Sequence, residues 1–415
     1  MKNPRAFFLP RVLAVLCLAA LAGYGCAVNP VTGKSELSIV KFSEEEEVAL
    51  GAQAFQPAVQ EQGGFYKDRE LEEYVQGVGM RIARASHRPG LKYQFRVLNS
   101  SVPNAFAVPG GFIVINRGLL VTLESEAEMA AVLAHETGHV TAKHSLAAYQ
   151  RAVAGNVLLS GVSIVTGGNM AAQALGNVTA NLLQSGFSRE QEREADALGI
   201  DYMVKAGYSP EGMIRLQEFF WTKLEGGKDP AWIEGIFRTH PFSKERLENT
   251  RAKVAKDYPS TLKDPRYTLN EAPFKQGTAR LREVQKAYDV AGQGDKLLKE
   301  KKYDEALAKY REAARMQPAQ APFYSSAAQV HMVRKESDAA EENLRKAVSL
   351  DGEYFEPRLL LGAVRYQKKD YRGAIPELEK SMDLMPTKEA ATMLSNSYAA
   401  LGDKAKAKKY ADMVK

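Results

Sequence analysis

The first apolar block of the chain is short and lies near its beginning. Val12 to Leu21 form an uninterrupted apolar run, with three basic residues before it and the small residues of AGYGCA after it. A basic start, a short apolar core and a small-residue end are typical of a secretory signal. The run is too short to span a membrane as a helix. We therefore predict that residues 1–26 are a signal segment.

Cys26 ends this segment and suggests a more specific fate. The stretch GYGC resembles the lipobox of bacterial lipoproteins, in which a cysteine is lipid-modified, although Gly23 and Tyr24 depart from the usual residues. The alternative is soluble secretion, with cleavage after Ala22 or nearby. The other cysteine, Cys17, lies inside the signal, so the mature chain would carry no internal thiol, which suits an oxidising compartment.

Residues 27–251 show a mixed pattern that predicts one α+β domain. Residues 91–100 and 110–116 alternate or cluster apolar side chains in the manner of strands. The segment 123–145 follows as a helix, and apolar residues occupy all of its sides, which predicts that the helix is buried. Ser125 and Glu128 have the spacing of a capping box at its start.

The last third of the chain repeats. Ala306, Ala340 and Ala374 are spaced by 34 residues, and a proline or glycine recurs at the end of each unit. This period is typical of tetratricopeptide repeats, which form a helical solenoid that binds peptides or partner proteins. We predict three repeats and a shorter fourth within 287–415, and we interpret 252–286 as a connector.

Composition and charge exclude little, but they do argue against one class of partner. The chain has 415 residues, of which 45% are hydrophobic and 26% charged, as in ordinary globular proteins of two or three domains. The formal charge of +6 is small for this length, and no basic run is interleaved with aromatic residues. No nucleic-acid partner is predicted.

The buried helix contains the sequence His-Glu-Thr-Gly-His. His135 and His139 are four residues apart, so they project from one helix face and can both bind one Zn²⁺. Glu136 is placed to take a proton from a water molecule at such a site. Two histidines and a glutamate inside an apolar helix need partners, because burying them unpaired costs several kcal/mol.

A catalytic zinc requires a third protein ligand. A metzincin has a histidine six positions after the second histidine of the motif, but that position here is Ser145. His144 is one residue away, on a different face, and we interpret it as structural. The third ligand is therefore expected to be an acidic residue from a second helix.

The stretch SREQEREAD supplies such a helix. Ser188 and Gln191 have capping-box spacing, which predicts a helix start. At about 100° per residue, Glu190 and Glu194 fall on one side, which we predict to be solvated.

Glu192 and Asp196 fall on the opposite side, among small and apolar residues. Burial there requires a partner, so we predict Glu192 as the third metal ligand. Asp196, one turn later, is placed to hold a ligand histidine by its second ring nitrogen. The alternative is that both carboxylates belong to ordinary buried salt bridges.

These residues together resemble a known family. AAVLAHETGHVTAKHS, SREQEREAD and NAFAVPGGFIVINRGLL are similar to the gluzincin peptidases that include HtpX and the CAAX prenyl proteases. The lipoprotein-type N-terminus, the sequence NPVTGK after the cysteine and the repeats narrow the likeness to the periplasmic β-barrel-assembly-enhancing proteases. The resemblance implies a mostly α-helical chain, in which a zincin-type α+β domain with a small sheet is followed by the solenoid. It also implies one Zn²⁺ per chain, held by His135, His139 and Glu192.

The resemblance assigns further roles. His240 would approach the metal from a loop and gate the site, and Arg246 lies in the matching stretch. Asn104, Ala105 and Phe106 would belong to an edge strand that holds an extended substrate by main-chain hydrogen bonds.

The expected function is that of a periplasmic zinc metalloendopeptidase, lipid-anchored to the outer membrane or soluble in the periplasm. It would cleave unfolded or misassembled proteins, and its repeats would bind the outer-membrane assembly machinery. The alternative is a tetratricopeptide chaperone-like adaptor with a latched or inactive zinc site. The apolar, uncharged segment 153–186 is interpreted as a cover for the active site, with a membrane-touching element or plain core as alternatives.

Overall fold

The computed structural model describes residues 26–37, 41–151, 186–226 and 230–414. The predicted signal lies outside these residues except for Cys26, and the predicted cover lies outside them except for Gly186. Among the described helices, none combines the length and the apolar character that crossing a bilayer requires.

The described chain opens with a small hairpin and two helices. Strand β1 (Cys26–Val28) pairs antiparallel with β2 (Ser35–Leu37). Helices α1 (Glu44–Glu61) and α2 (Arg69–Ala85) follow. The apolar face of α2 is buried in the core of the domain.

A three-stranded sheet contains the strands predicted from the sequence. Strands β3 (Gln94–Leu98), β4 (Ala105–Val108) and β5 (Phe112–Asn116) lie in the order β3-β5-β4. The central strand β5 runs parallel to β3 and antiparallel to β4. Strand β4 is therefore an edge strand of this sheet, as predicted for the segment that contains Ala105.

Two helices after the sheet carry the candidate chemistry. The short helix α3 (Arg117–Leu120) leads to α4 (Glu126–Thr141), in which every residue is buried, as predicted. The predicted capping box forms only in half. The backbone N–H of Glu128 donates to Ser125 Oγ (3.2 Å), but the Glu128 carboxylate accepts from the backbone of Glu124 (2.7 Å), because the chain approaches α4 through a tight turn.

Helix α5 (Arg189–Lys205) begins with the complete capping box predicted at Ser188 and Gln191. It packs against α4 through small residues. A Cβ atom on Gly138 would lie 2.9 Å from the carbonyl oxygen of Ala195, and one on Gly199 would lie 3.1 Å from the backbone nitrogen of His135. Because the two backbones are so close, the functional side chains on α4 and α5 can reach a common point.

The remaining helices of the domain close over this pair. They are α6 (Glu211–Gly226), α7 (Pro230–Glu234), α8 (Ile236–Thr239), α9 (Lys244–Asp257) and α10 (Glu271–Gly277). The boundary predicted at residue 251 falls inside α9. Val254, Phe274 and Leu281 belong to the same core as α2 and α4, so most of the segment predicted as a connector packs on the domain.

The repeats form consecutive helix pairs. The second helices of three successive pairs begin at Tyr303, Ser337 and Tyr371, which reproduces the 34-residue period. Lys301, Lys335 and Lys369, each with φ of 61°, make the turn before them. The full set is α11 (Ala279–Lys299), α12 (Tyr303–Met316), α13 (Ala321–Val333), α14 (Ser337–Leu350), α15 (Phe355–Gln367), α16 (Tyr371–Leu384), α17 (Lys388–Ala400) and α18 (Lys404–Asp412).

The alanines that define the period lie where helices touch. Ala306, Ala340 and Ala374 are fully buried. Small side chains suit these positions because a larger one would separate the paired helices. The first helix begins at Ala279, eight residues before the predicted start. The fold class predicted from the sequence, mostly α-helical with a small sheet, is confirmed.

The repeats contact the first domain. The side chain of Gln60 accepts a hydrogen bond from the backbone N–H of Phe355 (2.8 Å) and donates to the carbonyl oxygen of Glu353 (3.0 Å). Lys67 Nζ lies 2.7 Å from a carboxylate oxygen of Asp351. The loop between α14 and α15 is therefore docked beside the end of α1.

The close contact of α4 and α5 yields a stability prediction. We expect Gly138→Val to lower the free energy of unfolding by about 1–3 kcal/mol, because the added atoms must push the two backbones apart. Gly77→Ala is the control, since Gly77 lies inside α2 with open space around its Cα atom. It should raise the free energy of unfolding by about 0.5–1 kcal/mol. Urea denaturation measures both, and a Gly138→Val protein as stable as wild type would contradict the close packing.

Candidate metal centre

Four side chains from three parts of the chain converge between α4, α5 and the end of α8. They are His135, His139, Glu192 and His240, all buried, with one potential ligand atom of each within 4.8 Å of the others. The Nε2 atoms of His135 and His139 are 3.0 Å apart. His240 Nδ1 lies 3.3 Å from His135 Nε2 and 3.0 Å from Glu192 Oε1. The structure thus brings together the two motif histidines and the glutamate predicted from α5.

This donor set fits zinc. Zinc in proteins is bound by imidazole nitrogens, carboxylate oxygens and cysteine thiolates, with three or four protein ligands per site. The Nε2 atoms of His135 and His139 are only 3.0 Å apart, so one shared cation can contact both nitrogens. Glu192 Oε2 is buried without a hydrogen-bond partner among the described residues, although Arg246 Nη1 lies 2.5 Å away in an unaligned ion pair.

The charge around the cluster also fits a divalent cation. Glu136, Glu192 and Asp196 are three buried carboxyl groups, and Arg246 is the buried guanidinium among them. When a bound ion keeps the imidazoles neutral, three ionised carboxylates face one positive charge. The two remaining negative charges are what one divalent ion balances.

Asp196 and Arg246 contact two side chains of the cluster, His135 and Glu192. Asp196 Oδ1 lies 2.9 Å from His135 Nδ1, so that the ring nitrogen donates to it and the other nitrogen faces the cluster. Arg246 donates from Nε to Asp196 Oδ2 (2.7 Å) and from Nη2 to Asp196 Oδ1 (2.8 Å). Burial by itself raises the pKa values of Glu192 and Asp196, but the Arg246 charge and the neighbouring histidines lower both below their ordinary values.

The electrostatics of His135 show what the centre of the cluster favours. Burial by itself lowers the pKa of the His135 imidazole, but hydrogen bonds and charge from Asp196 and Glu192 raise it to about 10. The cluster therefore stabilises positive charge at its centre.

Glu136 lies beside the cluster. Its side chain is buried, and Oε2 has no hydrogen-bond partner among the described residues. Burial raises the pKa of Glu136 above its ordinary value. A carboxylate with a raised pKa is a better proton acceptor than an exposed one. The neighbouring cavity is lined by Val132, His135, Glu136, Met213, Leu216 and Phe220, among others.

His240 connects the cluster to the edge strand. Its backbone N–H donates to Ile236 O (2.8 Å), which holds the residue at the end of α8. Nε2 lies 3.4 Å from the carbonyl oxygen of Ala105 and 3.4 Å from Glu136 Oε1. The resemblance implied this approach to the metal, whereas the sequence pattern alone identified only a loop histidine.

The predicted substrate strand lies next to the cluster. Asn104, Ala105 and Phe106 are all buried. Thr239 Oγ1 donates to Asn104 Oδ1 (3.1 Å), and the backbone N–H of Ile236 donates to Pro103 O (2.9 Å). The segment around α8 therefore covers the start of β4.

Three residues make contacts near the cluster that the sequence did not predict. Phe187 stacks on the His139 ring, with centroids 3.9 Å apart. His144 was interpreted as structural, and it lies outside the metal-holding group, with its Nδ1 2.9 Å from His139 Nδ1. Lys143, with φ of 54°, reverses the chain after α4 and turns His144 back towards the ligand, which no helical periodicity predicts.

The prediction that Glu194 faces water is wrong. Its side chain is only 17% exposed, and Oε2 lies 3.1 Å from His144 Nε2, whereas the Glu190 side chain is 62% exposed, as predicted. The helical wheel gave α5 one buried face. The N-terminal hairpin and His144 cover part of the opposite face as well.

Comparisons with known proteins agree with this geometry. Residues 69–254 match Peptidase family M48. The mitochondrial metalloendopeptidase OMA1 of Schizosaccharomyces pombe is 32% identical over 227 residues, which cover 52% of this chain and 63% of that protein. The β-barrel assembly-enhancing protease of Yersinia pestis is 26% identical over 310 residues, covering 68% of this chain and 62% of that protein. The protein of that name from Escherichia coli K12 is 27% identical over 197 residues, covering 45% and 39%.

In each of these alignments the chain spans less than two thirds of the relative's length. The matched segment contains all four residues of the cluster, together with Glu136, Asp196 and Arg246. Residues 69–254 of this chain therefore match Peptidase family M48, and the same segment holds the four side chains that could bind a metal ion.

Proposed function

We propose that the chain is an exported zinc metalloendopeptidase that cleaves unfolded or misassembled proteins. The observation that carries the proposal is the convergence of His135, His139 and Glu192 on one point, with Glu136 beside them. Two relatives named β-barrel assembly-enhancing proteases support a role in outer-membrane protein quality control.

Each residue of the site has a defined task in peptide hydrolysis. The two histidines and Glu192 would hold one zinc ion per chain, which, when bound, polarises the scissile carbonyl and lowers the pKa of water. Glu136 takes a proton from the attacking water and later gives it to the leaving amine. Asp196 and Arg246 keep the ligands oriented and ionised.

Strand β4 would hold the substrate in this proposal. The carbonyl oxygens of Ala105 and Ala107 are contacted by side chains, His240 Nε2 at 3.4 Å and Ser145 Oγ at 3.1 Å. When those side chains withdraw, an extended peptide can pair with this edge through main-chain hydrogen bonds, which require no particular substrate side chain. Unfolded segments are then preferred because folded proteins rarely offer a free strand.

His240 acts as a latch in this proposal. A catalytic zinc keeps one position open for water or substrate, whereas His240 Nδ1 lies among the three predicted ligands. The same ring contacts Ala105 O, so it blocks both the open metal position and the strand edge. Cleavage therefore requires that His240 move.

The closed latch also supports the second candidate, a chaperone-like adaptor whose zinc site is not used for cleavage. In both cases the repeats would bind a partner, for which we propose the outer-membrane assembly machinery. We further propose that the chain is periplasmic and that lipid at Cys26 anchors it to the outer membrane.

The role of Glu136 is tested by Glu136→Gln. We expect the purified variant to retain one zinc per chain, because Glu136 is not a ligand, and to lose activity on an unfolded protein by at least about 100-fold. Zinc content is measured by atomic absorption and cleavage by electrophoresis. Activity that survives the substitution would refute the assignment of the base.

The latch is tested by His240→Ala. Removing the imidazole should raise the cleavage rate on unfolded substrates, because it frees the metal position and the Ala105 carbonyl together. The double variant with Glu136→Gln is the matched control and should be inactive. If zinc-loaded wild type and His240→Ala both fail to cleave several unfolded proteins, the enzyme proposal fails and the adaptor is favoured.

A further inference from the structure

The sequence NPVTGK, residues 29–34, forms a tight turn between β1 and β2. Asn29 Oδ1 accepts from the backbone N–H of Val31 (2.9 Å), and the backbone N–H of Asn29 donates to Lys34 O (2.7 Å). Gly33 has φ of 70°, a conformation that favours glycine. The turn is thus a defined structure, three residues after Cys26.

The turn binds the end of the helix that carries the metal motif. Asn29 is 5% exposed, and its Nδ2 donates to the carbonyl oxygen of Ala142 (2.8 Å), which caps α4. The last carbonyl groups of a helix have no partner within the helix, so Asn29 satisfies one of them. His139 lies three residues before this cap.

The other end of the turn reaches the opposite helix. Lys34 Nζ lies 2.6 Å from Glu190 Oε1 and 2.7 Å from Glu194 Oε1. The two glutamates differ in what lies behind them. Glu190 is exposed, whereas Glu194 continues inwards to His144.

The contacts of His144 with Glu194 and His139 determine which ring nitrogen of His139 keeps its lone pair for the cluster. An ionised carboxylate only accepts hydrogen bonds, so His144 Nε2 donates to Glu194 Oε2 (3.1 Å) and His144 Nδ1 is left as an acceptor. His139 Nδ1 then donates to His144 Nδ1 (2.9 Å), which leaves the lone pair of His139 Nε2 for the cluster. Both imidazoles are fully buried, so water does not compete for these bonds.

We infer that the turn at 29–34 is a positioning element of the metal site, acting on the ligand His139 through Lys34, Glu194 and His144. The inference rests on the proposed zinc site. It assigns a role to the motif that follows Cys26, since Asn29 fixes the end of α4 and Lys34 fixes the carboxylate that orients His144. Glu194 and His144 are positioning residues, because they act through His139.

The test uses residues 26–415 of the chain and compares Glu194→Ala with Glu190→Ala. Each variant removes one carboxylate partner of Lys34, but only the first breaks the contact with His144. Zinc dissociation constants are measured by competition with a chelator, and the visible spectrum of the cobalt-substituted protein reports the ligand geometry. We expect Glu194→Ala to weaken zinc binding about 10- to 100-fold and to shift the cobalt bands. Glu190→Ala should leave both unchanged.

Substitutions of Lys34 give a second test, in which the altered side chain is partly exposed and not buried. Its side chain is 44% exposed, so Lys34→Ala is expected to fold. This variant should weaken zinc binding by about two- to fivefold, in the range of a partly exposed ion pair, and Lys34→Arg should restore it. Thermal unfolding of the zinc-free proteins separates lost ligand orientation from lost folding.

The outcomes are distinct. Equal zinc affinity and identical cobalt spectra for Glu194→Ala and Glu190→Ala would overturn the inference while leaving the zinc site intact. A wild-type protein that binds no zinc would instead overturn the proposed function.

Discussion

The constraint on which the rest of the structure depends is the burial of charge between α4 and α5. Glu136, Glu192 and Asp196 are almost inaccessible to water, and an unpaired buried carboxylate costs several kcal/mol. Arg246 offsets part of this cost, and the imidazoles direct their nitrogens at the remaining charge. A divalent cation at the cluster would complete the balance, so metal binding and the stability of the helix pair are expected to be linked.

The surrounding architecture brings this charge together and keeps water out. Gly138 and Gly199 allow the two helix backbones to touch, which places ligands from α4 and α5 within reach of one ion. The segment that ends at His240 closes the site on the side of β4. The hairpin that contains Asn29 closes it at the other end of α4. Elements that are distant in sequence therefore all help to orient side chains in a site with little solvent.

The local parts of this arrangement follow from periodicity. His135 and His139 share a face because they are one helical turn apart, and Glu192 and Asp196 share another for the same reason. Helical periodicity failed for Glu194, since it identifies a buried face only when a helix packs on one side, and α5 packs on two. It also could not predict the contact of His144 with His139, because Lys143 interrupts the helix and the angular relation between the two residues is lost.

Local patterns predicted the residues that we propose bind the metal, the helix that carries the two histidines and the 34-residue repeat, because each pattern depends on neighbours a few positions apart. Only the tertiary structure decided which distant groups meet: His240 with His135 across 105 residues, Arg246 with Asp196 across 50, and the turn at Asn29 with α4 across 113. No local period links such positions. They are brought together because the helices and strands that carry them pack into one core, and burial then requires each polar group to find a partner.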